Sequence, residues 1–472
     1  MSSAASVREP RSVLAVVVTR GVTPWLPKTL AALARQETAP DRVLVAVWDP
    51  TAITAVREEL TKAGLTQADV VGAARAATFG AGVRAAVRDH PAVAGQWLWL
   101  LHDDSAPEPS ALAAQLRVVE QGSSVVVAGA KQVEWSAPDE LISVGVGLTR
   151  SGRRFTALEE SEIDQGQYDD RLDVLAVGTA GMLVRRDVWE ELRGPDPALG
   201  PYGDGADLSR RARLAGHRVV VVPAAVVRHA RASYQGLRHP EHGGAPAVDA
   251  PHEPVRSWPA RRGAVLHSRL AGATPLGSLL AFVGMFLLAP VRAFARVATK
   301  EFSLIGAELR APFARLAHLG AIRRARRNAR RTAVVSRRVL SSLQVGVGAQ
   351  LAYWRDSRLQ RSAIARSKRA RSELEKAAVA ALTRRRRLML LAVAVVTITV
   401  SLLTVGKWAL AGPLTGGALL PVDSSASALW NLATSPWLAV GDGHAVLPQP
   451  FLLVLAFLTT LIGGLWGTPV TA

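Results

Sequence analysis

The chain has 472 residues, enough for two or three domains. Apolar residues make up 49% and charged residues 20%, which excludes an apolar-poor disordered chain. There is no cysteine, so disulfide scaffolds, thiol nucleophiles, cysteine zinc sites and iron–sulfur clusters are excluded.

The net charge of +19 is unevenly spread. Residues 1–291 hold 31 basic and 31 acidic residues, whereas 292–387 hold 25 basic and 5 acidic ones. Residues 388–472 carry only Lys407, Asp423 and Asp442. A neutral first part, a basic middle and an apolar end read as three physical environments. They predict a membrane protein with basic cytoplasmic parts.

Along the chain, Met1–Arg11 is polar and the apolar run Val13–Val18 is too short for a signal core, so the first domain is expected to stay in the cytoplasm. Val13–Val18 reads as a buried parallel strand. Thr23-Pro24 opens a helix, Val43–Trp48 is a second strand, and Ala52–Ala63 is helical. A short strand near Val70-Val71 and a helix over Phe79–His90 precede a fourth strand, Gln96–Leu101. A helix over Ser110–Val119 and a strand over Val125–Ala128 come next. Residues 129–172 look polar and irregular. Gly178–Gly181 is a turn of small residues, Asp187–Leu192 and Asp207–Ala215 are helical, and Arg218–Val222 is a last strand ended by Pro223. Strands alternating with helices predict an α/β domain with a mostly parallel sheet over residues 1–235.

Residues 236–270, rich in Pro and Gly, read as a linker, and 271–387 as amphipathic, Arg-rich helices on a membrane surface. Phe294, Val297, Phe302, Ile305, Leu309, Phe313, Leu316 and Leu319 recur at helical spacing over Ala293–Ile322. Residues 388–472 form a transmembrane region, with spans over 388–406 and 451–466. Ala271–Val291 is apolar but broken by Pro275, Pro290 and glycines, and a basic block follows it. It is expected to lie in the interface or re-enter, with the first true span starting near Leu388 and residues near 413–446 outside. The basic block favours anionic membrane lipids over nucleic acid, because no nucleic-acid motif or interleaved aromatic pattern accompanies it.

Several polar residues fall at strand ends, where open α/β sheets bind ligands. They are Thr19-Arg20 after the first strand, Asp49 after the second, and His102-Asp103-Asp104 after the fourth. Gly178-Thr179-Ala180-Gly181, the segment Asp204-Gly205-Ala206-Asp207-Leu208, and His229 beyond Pro223 follow in order. Two adjacent acids closing a buried apolar run suit a hard cation, which prefers carboxylate oxygens. A lone strand-end Asp such as Asp49 is otherwise a turn former. Asp207 also reads as a helix N-cap, and Arg75 and Arg84 as surface residues.

This order of elements resembles the family 2 glycosyltransferases of the GT-A fold, a Rossmann-like, mostly parallel sheet domain. The C-terminal half resembles the membrane part of large actinobacterial members. The resemblance implies a nucleotide-diphosphate sugar donor and a divalent metal, Mg or Mn, bound by Asp104 with His102 and His229. It implies donor contacts at Thr19, Arg20, Asp49 and Asp103, and an acceptor pocket at Gly178, Thr179, Ala180 and Gly181. An inverting transferase also needs a base for the acceptor hydroxyl. Where the family carries two adjacent acids, this chain has Asp204-Gly205, so the base falls to Asp204 or Asp207. The expected enzyme is a hexosyltransferase of the multi-pass cell membrane, with a cytoplasmic catalytic domain and a cell-envelope glycan or lipid-linked acceptor. The competing expectation, from Gly205 and His102, is a degenerate domain serving as a membrane scaffold.

Overall fold

The computed structural model describes residues 12–367, except 75, 77, 89, 91, 93–95, 150–153, 157, 160 and 239–254. It also describes 373–404, 426–438, 444–445 and parts of 453–460. The chain divides into two units, Met1–Ala363 and Ile364–Ala472.

The first unit is built on a nine-stranded sheet. Strands β1 (Val13–Thr19), β2 (Arg42–Val47), β3 (Asp69–Gly72) and β4 (Trp97–His102) run parallel in the order β3-β2-β1-β4. Their unbroken apolar runs follow from burial on both faces. Leu14, Val16 and Val18 enter one core, and Val13, Ala15 and Val17 the other. Helices α1 (Leu26–Ala34), α2 (Ile53–Lys62) and α3 (Phe79–Arg88) connect these strands.

Beyond β4 come β5 (Ser105–Pro107), α4 (Ala111–Gln121), β6 (Val125–Glu134), β7 (Leu141–Ser143), β8 (Gly147–Thr149) and β9 (Arg154–Phe155). They are followed by β10 (Met182–Arg185), α5 (Arg186–Leu192), α6 (Asp204–Leu214) and β11 (Arg218–His229). The sheet continues β4-β10-β6-β11-β5, with β7 on β6, and β10 is antiparallel to both neighbours. The sheet is thus mixed, and its carboxyl edge gathers the ends of β1, β2 and β4.

Three expectations for this domain need correction. Residues 129–172 are not wholly irregular: β6 runs on to Glu134 and β7, β8 and β9 follow. Their signal is weak because β7, β8 and β9 are short. Pro223 does not end the last strand. Its missing N–H falls in a register irregularity between Val222 and Val226, where no ladder bond is needed, and pairing resumes through His229. His229 is therefore held on a strand and not in a loop. Helix α6 starts at Asp204, three residues earlier than expected, so Asp207 lies inside its first turn and is not the N-cap.

The helical part of this unit comprises α7 (Trp258–Gly272), α8 (Pro275–Ala298), α9 (Ile305–Leu316) and α10 (Leu319–Thr332). α7 begins within the segment read as a linker. The amphipathic stretch over Ala293–Ile322 is divided among α8, a 3-10 turn at Phe302–Leu304, α9 and α10. Leu266, Leu270, Ala281, Met285 and Ile322 form a small core among these helices. Strand β12 (Gln344–Val345) returns to pair in parallel with β8, and α11 (Val347–Ser367) follows.

In the second unit, α12 (Glu373–Thr404) is one continuous helix. Pro275–Ala298 and Ala381–Leu403 are each long and apolar enough to cross a membrane by length and composition. Most of the expected 451–466 span, and most of 413–446, lie outside the described residues.

Candidate active site

The end of β4 delivers His102, Asp103 and Asp104 to the sheet edge, and the end of β11 delivers His229 beside them. Asp103 and Asp104 are both buried. Asp103 Oδ2 lies 3.1 Å from the Thr19 hydroxyl, and its other oxygen accepts from the Arg238 guanidinium. Asp104 Oδ2 accepts from the Ala232 N–H at 2.8 Å. Asp104 Oδ1 is buried without a hydrogen bond. It lies 3.6 Å from His229 Nε2, 3.8 Å from His102 Nδ1 and 3.1 Å from Arg238 Nη2.

Both imidazoles are turned toward that oxygen by what holds their other nitrogen. Gln132 Nε2 donates to the Ala180 carbonyl at 2.9 Å, which aims Gln132 Oε1 at His229 Nδ1, 3.4 Å away. With Nδ1–H donating to Gln132, Nε2 of a neutral His229 is left bare and faces Asp104 Oδ1 at 3.6 Å. His102 Nε2 lies 2.9 Å from the Thr179 hydroxyl, and that hydroxyl lies 3.3 Å from Asp204 Oδ2. With the hydroxyl donating to Asp204 and accepting from His102 Nε2–H, Nδ1 of His102 is left bare as well. Two imidazole nitrogens and one carboxylate oxygen, all within 4.8 Å of one another, thus fit a divalent cation.

The electrostatics agree with this arrangement. Burial pushes the His102 imidazole down to about 3, with His229 adding to the shift and Asp104 opposing it, so the ring is neutral. Burial alone would raise the Asp104 carboxyl, but the Arg238 guanidinium foremost outweighs it and holds the group well below its usual range. Asp104 is therefore ionised.

Next to Thr179, Asp204 is half-buried at the start of α6. Its Oδ1 accepts from the Gly205 N–H at 2.8 Å. Burial raises its carboxyl to about 6, against the hydrogen bonds from Gly205 and Thr179 and the charge of Arg154. Asp207 is not brought to this group. Its Oδ2 is taken by Arg211 Nη2 at 2.6 Å and by the Asp196 N–H at 3.1 Å. Arg211 in turn donates to the Leu192 and Gly194 carbonyls at 2.6 Å each.

The turn Gly178–Gly181 lies between the two carboxylates, Asp104 and Asp204. Gly181 has φ +76°, and a Cβ there would lie 2.6 Å from Val227 Cγ2, so both backbone conformation and space demand glycine. Ala180 and Thr179 are buried. At the other end of the edge, Asp49 is exposed and caps a 3-10 turn, accepting from Thr51 N at 3.0 Å and Thr51 Oγ1 at 2.7 Å. Those two bonds lower its pKa. Arg20 is exposed and its guanidinium sits 5.4 Å from the Trp48 ring. The Asp49 N–H bonds to the Arg20 carbonyl at 3.1 Å, so these two residues are neighbours. Arg84 donates to the Arg193 carbonyl at 3.0 Å, and Arg75 lies outside the described residues.

Residues 10–242 match the family model described as glycosyltransferase like family 2. This region is a family 2-like glycosyltransferase domain. Its fold is GT-A. No curated protein matches the chain in sequence. Among solved structures, the chain is similar to GalNAc-T7 with UDP, GalNAc and Mn2+, at 12% identity and TM-score 0.38, over 46% of this chain and 43% of that one. It is also similar to the mannosyltransferase PcManGT from Pyrobaculum calidifontis in complex with GDP-Man and Mn2+, at 16% identity and TM-score 0.38, over 76% and 86%. A third is S. aureus TarS 1–349, at 11% identity and TM-score 0.34, over 65% and 91%.

In the glycosyltransferase domain, two residues join the site without any signal in the sequence. Arg238 pairs with both Asp103 and Asp104, yet it stands in a Pro- and Gly-rich stretch with no period. Gln132 sits on β6, in the part read as irregular. A strand through residues 125–134 would have shown its side chain among the inward positions. The glycosyltransferase domain also explains Gly205: a Cβ there would meet the Val177 carbonyl oxygen at 2.4 Å and Thr179 N at 3.0 Å. The backbone of residues 177–179 occupies the space an acid at 205 would need.

Proposed function

We propose that the chain is an inverting hexosyltransferase. It moves a sugar from a nucleotide-diphosphate donor to a cell-envelope glycan or lipid-linked acceptor, at the cytoplasmic face of the cell membrane. The observation that carries this reading is the convergence of His102 Nδ1 and His229 Nε2 on Asp104 Oδ1, an oxygen that now meets its counter-charge in Arg238. These three residues would hold a divalent ion, which when bound supplies charge to neutralise the diphosphate leaving group. Two imidazole donors favour Mn over Mg, which prefers oxygen ligands. Arg238 must then shift from Asp104, retaining Asp103.

Around that group, this chain's residues divide the work. Thr19 orients Asp103, and Arg20 and Asp49 at adjoining strand ends face the donor. The small residues of Gly178–Gly181 leave room for the acceptor. Asp204, ionised at neutral pH with a raised proton affinity, takes the acceptor hydroxyl proton. The Thr179 hydroxyl links it to His102.

One observation favours a second reading, a non-catalytic membrane scaffold. Arg238 already neutralises Asp103 and Asp104, in the manner of a permanent counter-ion. Turnover of nucleotide-diphosphate sugars by the purified chain, with Mn, with Mg and with chelator, decides between them. Mn-dependent turnover that Asp104→Asn abolishes, with an unchanged circular dichroism spectrum, is the expected result. Full activity in chelator removes the metal assignment, and no turnover with any donor or metal favours the scaffold.

A further inference from the structure

We infer that α8 does not cross the bilayer but lies in the plane of one leaflet, where with α9 it forms a membrane-binding face of the catalytic unit. The inference concerns attachment and does not depend on the reaction proposed above.

Both ends of α8 are tied to the same unit. Just before its start, Arg326 of α10 donates to the Leu270 and Ala273 carbonyls at 2.7 and 2.9 Å. The Arg210 side chain of α6 lies against Gly272, and His267 of α7 pairs with Asp196 at 2.7 Å. At its other end, the Arg296 guanidinium sits 4.3 Å from the Trp258 ring. Trp258 opens α7, where Ser257 donates to the Tyr234 carbonyl at 2.8 Å and Arg261 lies 4.3 Å from the Tyr234 ring. Glu308 of α9 accepts from Arg296 and from Arg262 of α7, each at 3.2 Å.

α7 and α8 are therefore an antiparallel pair, with the start of one at the end of the other. A 24-residue helix is about 36 Å long, enough to span. If α8 spanned, α7 beside it would carry Arg261, Arg262 and Arg269 through the hydrocarbon, at a cost of several kcal/mol. Lying in the interface avoids this.

The exposed surface of α8 fits that placement. Only a stripe of Ala281, Met285, Ala289 and Ala293, at four-residue steps, is buried against the other helices. Leu276, Leu280, Leu287 (67% exposed) and Phe294 (75% exposed) face outward, and exposed Phe313, whose ring meets Phe286 of α8 at 5.3 Å, continues the apolar surface onto α9. An apolar face of this length on a charged unit marks an interaction surface. Its occupant is a leaflet with anionic headgroups. The block of 25 basic and 5 acidic residues, 292–387, begins in the last turns of α8 and takes in α9 and α10, with Arg323, Arg324, Arg327, Arg330 and Arg331 on α10.

The cysteine-free full chain allows a direct test. Single cysteines are placed at Thr274→Cys and Ala298→Cys, flanking α8, with Ala55→Cys on exposed α2 as the reference. All three should react with an impermeant maleimide from the same side of sealed membranes. A fluorophore on Leu287→Cys, in vesicles containing phosphatidylglycerol, should be quenched most by a spin label near the ester end of the acyl chain. That result corresponds to a depth of about 5–10 Å. Reactivity of positions 274 and 298 from opposite sides overturns the inference. So does strongest quenching from the methyl end of the chain, where a spanning helix would put Leu287. Absence of lipid quenching also overturns it and points to a second copy of the chain on this face.

Discussion

The Val177 carbonyl oxygen closes the space over Gly205, 2.4 Å from where a Cβ would stand. The absence of a second acid beside Asp204 is thus a packing consequence. The backbone of residues 177–179 approaches α6 so closely that only a hydrogen atom fits. Gly205→Ala should lower stability by about 1–3 kcal/mol, the usual cost of overpacking, read as a shift in urea midpoint. Gly205→Asp should cost at least as much and gain no transfer activity. A Gly205→Ala variant as stable as the parent would show that the turn retreats easily.

Asp204 is the acid whose environment suits a base. Its carboxyl sits near about 6, so transfer should rise with pH through that value and level off above it. Asp204→Asn should reduce transfer by roughly 10²–10⁴-fold, the usual range for losing a general base, and leave donor binding nearly unchanged. The stability effect has the opposite sign. A folded pKa above the ordinary 3.8 favours the folded state below 3.8, and that contribution is lost as pH rises through about 6. Above neutrality, the uncharged Asp204→Asn should therefore be more stable than the parent by about 1–3 kcal/mol. Thermal melts from acid to alkaline pH check this, and equal melting temperatures at every pH would contradict it.

Asp207 should behave as a structural residue. Burial opposes its charge, but Arg211 outweighs burial and lowers its pKa below 3.8. Its contribution to stability is present above 3.8 and is lost as pH falls through the lower folded value. Asp207→Asn should cost about 1–3 kcal/mol at neutral pH, a gap that closes in acid, with turnover per folded molecule unchanged. A turnover loss matching that of Asp204→Asn would move the base assignment to Asp207.

Much of the fold was legible in one dimension. The runs 13–18, 43–48 and 97–101 are apolar at every position, a pattern set by burial on both faces and independent of which strand lies alongside. The polar residues closing those runs fall at the carboxyl edge for the same reason, so Thr19, Asp49 and the His102–Asp104 triplet could be read directly. β7, β8 and β9 were hidden because strands of two or three residues carry no periodicity. Pro223 misled because its effect depends on whether a ladder bond is needed at that position, and that is a matter of register with β6.

The sequence by itself determined the α/β order, the sheet-edge acids, the segregation of charge into residues 292–387 and the apolar character of Leu388–Gly406. These follow from composition and local pattern, which need no partner to be defined. Only the tertiary structure decided which acid is free and which is bound. Asp204 and Asp207 are chemically alike and three residues apart, yet Arg211 claims one and the Thr179 hydroxyl meets the other. It likewise decided that Arg238 pairs with Asp104 and that two imidazole nitrogens converge on Asp104 Oδ1. That convergence depends on Gln132 and Thr179, whose side chains meet the two rings from strands and turns far apart in sequence. Pairing across such separations is set by packing and hydrogen-bond satisfaction in three dimensions, which no local pattern encodes.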